Sequence, residues 1–217
     1  MKVLKVLISA GPTREYIDAV RFITNASSGK MGYSIAEVAY KDGADVVLIS
    51  GPVTVPYSEN IKTIFVQTSK EMYEQVIKYF YKTDIFISAA AVCDWRPERR
   101  YNYKLKKTDI FNLKLRQTDD ILLKISRLKD RKNKFVVGFA LETENIVRNA
   151  IEKLRNKNLD LIVANSTKCI GGNSFEGHII DKSGKIIRVN RIDKLKFAKL
   201  LWSVIKNLYL KKNNVYE

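Results

Sequence analysis

The chain has 217 residues, of which 46% are hydrophobic, and a formal charge of +16. That length sustains one sizeable core, so a single domain over residues 1–217 is expected, with a tail that frays after about Lys211. No apolar run reaches the length of a membrane helix, and Met1-Lys2-Val3-Leu4-Lys5-Val6-Leu7-Ile8 is too short and too broken by lysine for a signal peptide. Cys93 and Cys169 match no metal spacing and read as free thiols in a reducing, cytoplasmic setting. The positive charge admits polyanions as partners. The lysines are spread along the whole chain, however, and no DNA- or RNA-binding motif accompanies them, which weighs against nucleic acid.

In chain order, Val3 to Ala10 reads as a first strand, and Gly11 to Ser28 as a long connection. A helix from Gly29 to Lys41 follows, ended by Asp42-Gly43, with Ser27 and Ser28 as candidate N-caps. Ala44 to Ser50 is a buried strand and Ile61 to Val66 a short one. Ser69 caps a helix with Met72, Tyr73, Val76, Ile77 and Phe80 on its apolar face. Asp84 to Ala91, Phe135 to Ala140 and Leu159 to Ala164 are further strands, the last two separated by a helix from Glu144 to Asn156. Apolar runs alternating with amphipathic helices predict an α/β fold: a Rossmann-like, doubly wound, mostly parallel sheet with helices on both faces.

Two regions break the alternation. Cys93 to Thr118 is long enough to act as a lid or binding loop, and within it Phe111 to Leu115 alternates like a half-exposed strand. His178 to Ile180 and Lys185 to Val189 flank Asp181-Lys182-Ser183-Gly184, the pattern of a small C-terminal hairpin. Asp119 and Asp120 begin a helical run from Ile121 to Leu128, and Lys124 to Lys134 reads as a solvated basic helix end. The last helix, Ile192 to Leu210, would bury Leu195, Ala198, Leu201, Val204, Ile205 and Leu208. His178 reads as a structural histidine.

In a parallel sheet ligands gather outside the carboxyl ends of the strands. That directs attention to Gly11, to Ala89-Ala90-Ala91, to Phe139 and to the helix start at Ser28, Gly29 and Gly32. A helix N-terminus suits an anion, and glycines there allow close approach of the backbone. Lys104-Leu105-Lys106-Lys107 sets three amines on the long loop, and Lys153 and Lys157 share one helix face. There is no Gly-x-Gly-x-x-Gly after the first strand, which counts against a nicotinamide-dependent reductase.

The stretches Gly11-Pro12-Thr13-Arg14-Glu15, Asp18 to Gly32 (with Arg21-Phe22-Ile23-Thr24-Asn25-Ala26-Ser27-Ser28-Gly29-Lys30-Met31-Gly32), Ala89-Ala90-Ala91-Val92-Cys93-Asp94-Trp95-Arg96-Pro97, Lys104-Leu105-Lys106-Lys107, Val137-Gly138-Phe139-Ala140 and Asn158 to Asn165 carry a resemblance. Together they resemble phosphopantothenoylcysteine synthetase, usually the C-terminal half of a bifunctional coenzyme A biosynthesis flavoprotein. The resemblance implies a ligase for 4′-phosphopantothenate and L-cysteine that works through an acyl-cytidylate, with CTP as co-substrate and Mg2+ on the triphosphate. It also implies a homodimer and a separate decarboxylase as pathway neighbour. Because the chain begins at the synthetase motifs, no FMN is expected.

Carried over by motif, Asn25 would hold the intermediate through its amide, with Arg21, Ala90 and Ala91 assisting. Lys104 would serve cysteine ligation, and Ser28, Gly29 and Gly32 would lie at the triphosphate. Gly11, Ala89, Asp94, Asp119, Asp120, Phe139, Lys153 and Lys157 would contact the nucleotide. Family members commonly show Lys-Asn-Pro-Asp where this chain has Gln117-Thr118-Asp119-Asp120, which leaves CTP and ATP both open.

Overall fold

The first strand, β1 (Lys5–Ala10), runs down the middle of the sheet, and its alternate side chains feed two separate cores. The computed structural model describes residues 3–108, 110–169 and 171–213. After β1 come β2 (Arg14–Tyr16), β3 (Phe22–Thr24), α1 (Lys30–Lys41), β4 (Asp45–Ser50), β5 (Lys62–Phe65), α2 (Ser69–Phe80) and β6 (Ile85–Ser88). Then follow β7 (Trp95–Pro97), β8 (Leu115–Gln117), α3 (Ile121–Ser126), β9 (Phe135–Glu142), α4 (Ile146–Asn156) and β10 (Leu161–Ser166). The chain closes with β11 (Ser174–Asp181), β12 (Ile186–Asp193) and α5 (Lys194–Lys212).

Eight strands form one sheet in the order β12-β11-β10-β9-β6-β1-β4-β5. From β10 to β5 all neighbours are parallel, and β11 and β12 are added antiparallel. The expected Rossmann-like α/β architecture is therefore present. The C-terminal hairpin is longer than its turn signal implied and forms the edge of the main sheet. Val6, Ile8 and Ala10 of β1 join a core with α1 and α5, while Leu7 joins a core with α2, α3 and α4. One face is thus covered by α1 and α5, the other by the remaining helices.

Several local readings need correction. Thr68, not Ser69, caps α2, because its hydroxyl accepts from the Glu71 N–H. The connection after Gly11 holds the β2–β3 ribbon, and the loop strand lies at Leu115–Gln117, paired with Trp95–Pro97, rather than at 111–115. In α5, Leu195 is exposed, and Phe197 and Trp202 are buried instead. Arg131 is not solvated. It is buried against Asp160 at 2.9 Å. Helix α5 runs to Lys212; the rest of the predicted fraying tail, from residue 214, lies outside the described residues.

Chain direction across the sheet reverses between β1 and β6. The chain moves from β1 to β4 and β5 on one side, then returns to place β6 and β9 on the other. Such a switch point opens a crevice at the strands' carboxyl ends, because the two connections leave in opposite directions.

Candidate functional site

At that crevice a cleft of about 190 Å3 is walled by Ala26, Ser27, Ser28 and Gly29 before α1, by Ala89, Ala90 and Ala91 after β6, and by Phe139 and Asn165. Lys30, Cys169, Phe175 and Lys194 add polar and aromatic groups to its lining. It is smaller than the ~300–1,000 Å3 usual for small-molecule pockets, so a larger ligand would extend over the open rim.

The start of α1 is built by close packing rather than by a serine cap. Gly29 is the N-cap residue, at φ +77°, a left-handed conformation that a side chain would strain. The Ser27 hydroxyl lies 3.3 Å from the Gly29 N–H, outside the helix proper, so the expected serine N-caps are displaced by one residue. A Cβ on Gly32 would sit 2.5 Å from the Ala10 Cβ. Gly32 therefore docks α1 on the end of β1, whereas Gly11, at φ +75°, lets the chain pass close to Val53 and the Gly51 carbonyl. Neither is among the residues that line the cleft.

Asn25 sits beside this helix start. Its amide nitrogen donates to the carbonyls of Ala91 (3.1 Å) and Val92 (3.0 Å). Two carbonyls can only be met by the NH2 end, which leaves Oδ1 to face outward. The amide hydrogens expected to serve a ligand are thus already engaged by main chain. The segment they fasten is held from beneath by Thr13, which is fully buried. Its N–H donates to Ala91 O, its hydroxyl accepts from the Cys93 N–H at 2.8 Å, and its carbonyl receives the Thr24 hydroxyl and the Cys93 thiol. Burial pushes the Cys93 thiol up, consistent with a packing role.

The lysine loop is stitched to the β2–β3 ribbon by Asp18, a buried carboxylate that the sequence reading gave no role. Its oxygens accept from the N–H groups of Val20 (2.8 Å), Arg21 (2.7 Å) and Leu105 (3.2 Å). Those backbone donors, Arg21 first, hold its carboxyl below the usual range. The Arg21 guanidinium in turn donates to Leu105 O at 2.7 Å. Arg21 and Lys104 are thereby neighbours in space, both exposed, at the ribbon rather than in the cleft wall.

Of the expected nucleotide contacts, Ala89 and Phe139 line the cleft, whereas Asp94, Asp119, Asp120, Lys153 and Lys157 do not. Lys153 pairs with Glu142 at 2.7 Å, Lys157 with Asp120 at 2.8 Å, and Asp119 with Lys124 at 3.2 Å. Asp120 also caps α3 through the Leu123 N–H. These groups belong to the α3–α4 side of the sheet, beyond the end of β9. Lys30 and Lys194 are the cleft cations that sequence reasoning did not select. Among the described residues no group of three or more His, Cys, Asp or Glu side chains could hold a metal, and no helix is long and apolar enough to cross a membrane.

Fold and cleft together define a doubly wound α/β protein with an anion-receptive helix start at its switch point. Residues 1–209 match the family model described as DNA/pantothenate metabolism flavoprotein C-terminal domain, and the chain belongs to that family. It is 39% identical over 212 residues to the coenzyme A biosynthesis bifunctional protein CoaBC of Borreliella burgdorferi, covering 96% of this chain and 53% of that one. The chain thus spans about half the length of the curated relatives it matches. The crystal structure of the C-terminal domain of CoaBC superposes with a TM-score of 0.83 at 36% identity, covering 99% of this chain and 98% of that one. A Cab2 mutant in complex with phosphopantothenate-cysteine shares the fold, with a TM-score of 0.69 at 19% identity, covering 97% and 88%. The resemblance read from the motifs, to the synthetase half of CoaBC, is borne out.

Proposed function

We propose that the chain is a ligase of coenzyme A biosynthesis that joins 4′-phosphopantothenate to L-cysteine, using CTP. In the first step a carboxylate oxygen of the substrate bonds to the α-phosphorus. The α–β bridging bond breaks, and pyrophosphate leaves with its electron pair. In the second, the cysteine amine attacks the acyl carbon of the acyl-cytidylate, CMP leaves, and the amine sheds its proton.

The observation that carries this reading is Asn25, anchored by its amide to the carbonyls of Ala91 and Val92 beside the start of α1. That anchorage joins the family's asparagine motif to the alanine-rich turn after β6 and to a helix N-terminus that favours phosphate. Membership in a family whose relatives are named for coenzyme A biosynthesis supports it. On this reading Asn25 fixes the turn at Ala90 and Ala91, whose backbone lies against the intermediate. Ser28 and Gly29 meet the phosphates. Lys104, tethered through Leu105 to Asp18 and Arg21, supplies positive charge in the ligation step. Phe139 borders the nucleotide, and Asp94, Asp119, Asp120, Lys153 and Lys157 are reached only where it extends over the rim. Among the described residues no cluster of His, Cys, Asp or Glu would hold a resident metal, so on this reading Mg2+ comes with the triphosphate as part of the substrate.

The test is to incubate the protein with 4′-phosphopantothenate, cysteine and each nucleoside triphosphate, and to follow pyrophosphate and the amide product. CTP is expected to give both, and ATP less. No pyrophosphate with any nucleotide sinks the reading. Lys104→Gln should let acyl-cytidylate accumulate, visible by mass spectrometry, while amide formation slows.

A further inference from the structure

Lys194 is the first residue of α5 and is only 6% exposed, yet it forms part of the cleft wall. A buried ammonium ordinarily has a carboxylate beside it, because desolvating an unpaired charge is expensive. Among the described residues Lys194 Nζ has no hydrogen bond or ion pair. The carboxylate next to it in sequence, Asp193, is turned to the helix cap, where it accepts from the N–H groups of Leu195 (2.7 Å) and Lys196 (3.3 Å). Two titratable groups act on it: the Cys169 thiol, which also lines the cleft and favours its charge, and another cation, Lys30 in the first turn of α1, which opposes it. Lys30 itself donates to a neutral acceptor, Asn173 Oδ1, at 2.8 Å.

The position of Lys194 is fixed firmly. Its N–H donates to Asn173 O at 2.9 Å, so one asparagine ties the first turn of α5 to Lys30. One turn on, the Phe197 ring stacks on Phe175 with centroids 3.6 Å apart, and Phe175 also lines the cleft. Two ammonium groups thus line one cleft together with the start of a helix of 12 residues, and among the described residues neither forms an ion pair with a carboxylate. Burial and the neighbouring cation both act against the Lys194 charge, and an anion seated there would relieve both.

We propose that Lys194, together with Lys30, grips the pyrophosphoryl end of the nucleotide over the first turn of α1. Lys194 is then the residue that distinguishes a triphosphate from a monophosphate in this cleft. The inference rests on the ligase reading, since it takes pyrophosphate to be the group that leaves. Its chemistry is selective: the charge released as the α–β bond breaks falls on the oxygens that these ammonium groups would face, so they favour departure as well as binding.

The experiment uses pyrophosphate and CMP as separate probes, by calorimetry and as product inhibitors, on the full chain and on Lys194→Met. Loss of a charge-assisted contact should weaken pyrophosphate binding about tenfold or more, and leave CMP binding within about twofold. CTP turnover in the variant should fall, and Lys194→Arg should recover part of the pyrophosphate affinity. Equal weakening of both probes would mean that Lys194 merely shapes the cleft, and unchanged binding of both would remove it from the site; either overturns the inference. Should Lys194→Met not fold, Lys30→Met, which lies in the same cleft but is partly exposed, carries the same expectation. Wild-type protein that binds pyrophosphate and CTP but shows no discrimination by Lys194 sinks this inference alone. Wild-type protein that neither binds CTP nor releases pyrophosphate sinks the ligase reading beneath it.

Discussion

The two ends of α5 carry two buried or half-buried lysines in opposite circumstances. The helix runs antiparallel to the central strands for 19 residues, roughly 28 Å at 1.5 Å per residue. At its far end Lys212 reaches the amino edge of the sheet, where Asp160 accepts from it at 2.8 Å. The same carboxylate accepts from Arg131 at 2.9 Å and from the Val136 N–H at 2.8 Å, while Arg131 also donates to the carbonyls of Asn158 and Lys134. At its near end Lys194 reaches the carboxyl edge with no such carboxylate partner among the described residues. Both edges bury cations, but among the described residues only the amino edge pairs its cations with a carboxylate. A charge answered within the chain holds the fold. A charge left unanswered at the strands' carboxyl ends is one that a ligand must answer.

Removing the anion at the amino edge should have the largest effect. Asp160→Asn leaves Arg131, 3% exposed, without its carboxylate, and turns an NH2 group toward one of two cations. Breaking a buried pair from one side typically destabilises by about 3–5 kcal/mol, and that loss should appear as a lower urea midpoint with an unchanged slope. A loss below about 1 kcal/mol would show that the pair stabilises little and would dissolve the contrast with Lys194.

The same operation at the other edge should do the reverse. Lys194→Met removes an unanswered charge and keeps much of the side-chain volume, so stability should be unchanged or rise by up to about 2 kcal/mol. Adding pyrophosphate should raise the wild-type melting temperature and leave that of the variant nearly still. A variant destabilised by as much as Asp160→Asn would make Lys194 a structural cation like Arg131.

A pH series sharpens the point. Burial holds the Lys194 ammonium below its ordinary value of 10.5, with Lys30 adding to the effect and Cys169 opposing it. The unfolded chain therefore binds more protons between the lowered folded value and 10.5, and wild-type stability gains on the variant as pH rises through that window. The difference in melting temperature between Lys194→Met and wild type should be largest near neutral pH and shrink toward pH 10. A gap that widens with alkalinity would mean that the amine has a partner when folded.

Much of the fold was legible because buried strands write themselves as apolar runs. Val6-Leu7-Ile8 and Ile85-Phe86-Ile87 could hardly be anything else, and their alternation with amphipathic helices implies the parallel sheet. Caps were harder. Thr68 and Ser69 are both competent, and only the tertiary direction of Glu71's N–H chooses between them. The motif residues around the switch point were found, but not their contacts within the fold. Gly32 answers to Ala10, and the Asn25 amide to two carbonyls, neither of which periodicity can reveal. Arg131 and Lys194 were missed for one shared reason: in a chain with 39 lysines and arginines a basic residue reads as solvent-facing by default. A signal for Lys194 existed. It falls on the stripe of Ala198, Leu201 and Ile205, at helical spacing from the first of them, whereas Leu195 lies off that stripe and is exposed.

The smallest expected effect comes from the middle of the comparison, where α5 touches neither buried cation. Asp42 Oδ2 accepts from the Trp202 indole at 2.7 Å and from Lys206 at 2.8 Å, joining the end of α1 to α5. Asp42→Asn keeps an acceptor for the indole and removes an ion pair that is partly exposed, so the loss should stay within about 1 kcal/mol. Lys206 first, then Trp202, holds the Asp42 carboxyl below its ordinary 3.8, against burial. The contribution is therefore complete above pH 3.8 and fades as pH falls through the folded value, so wild type and variant should converge in acid. Pyrophosphate affinity should not move. A change there would mean that α5 transmits strain along its length to Lys194, and that its two ends cannot be treated as independent.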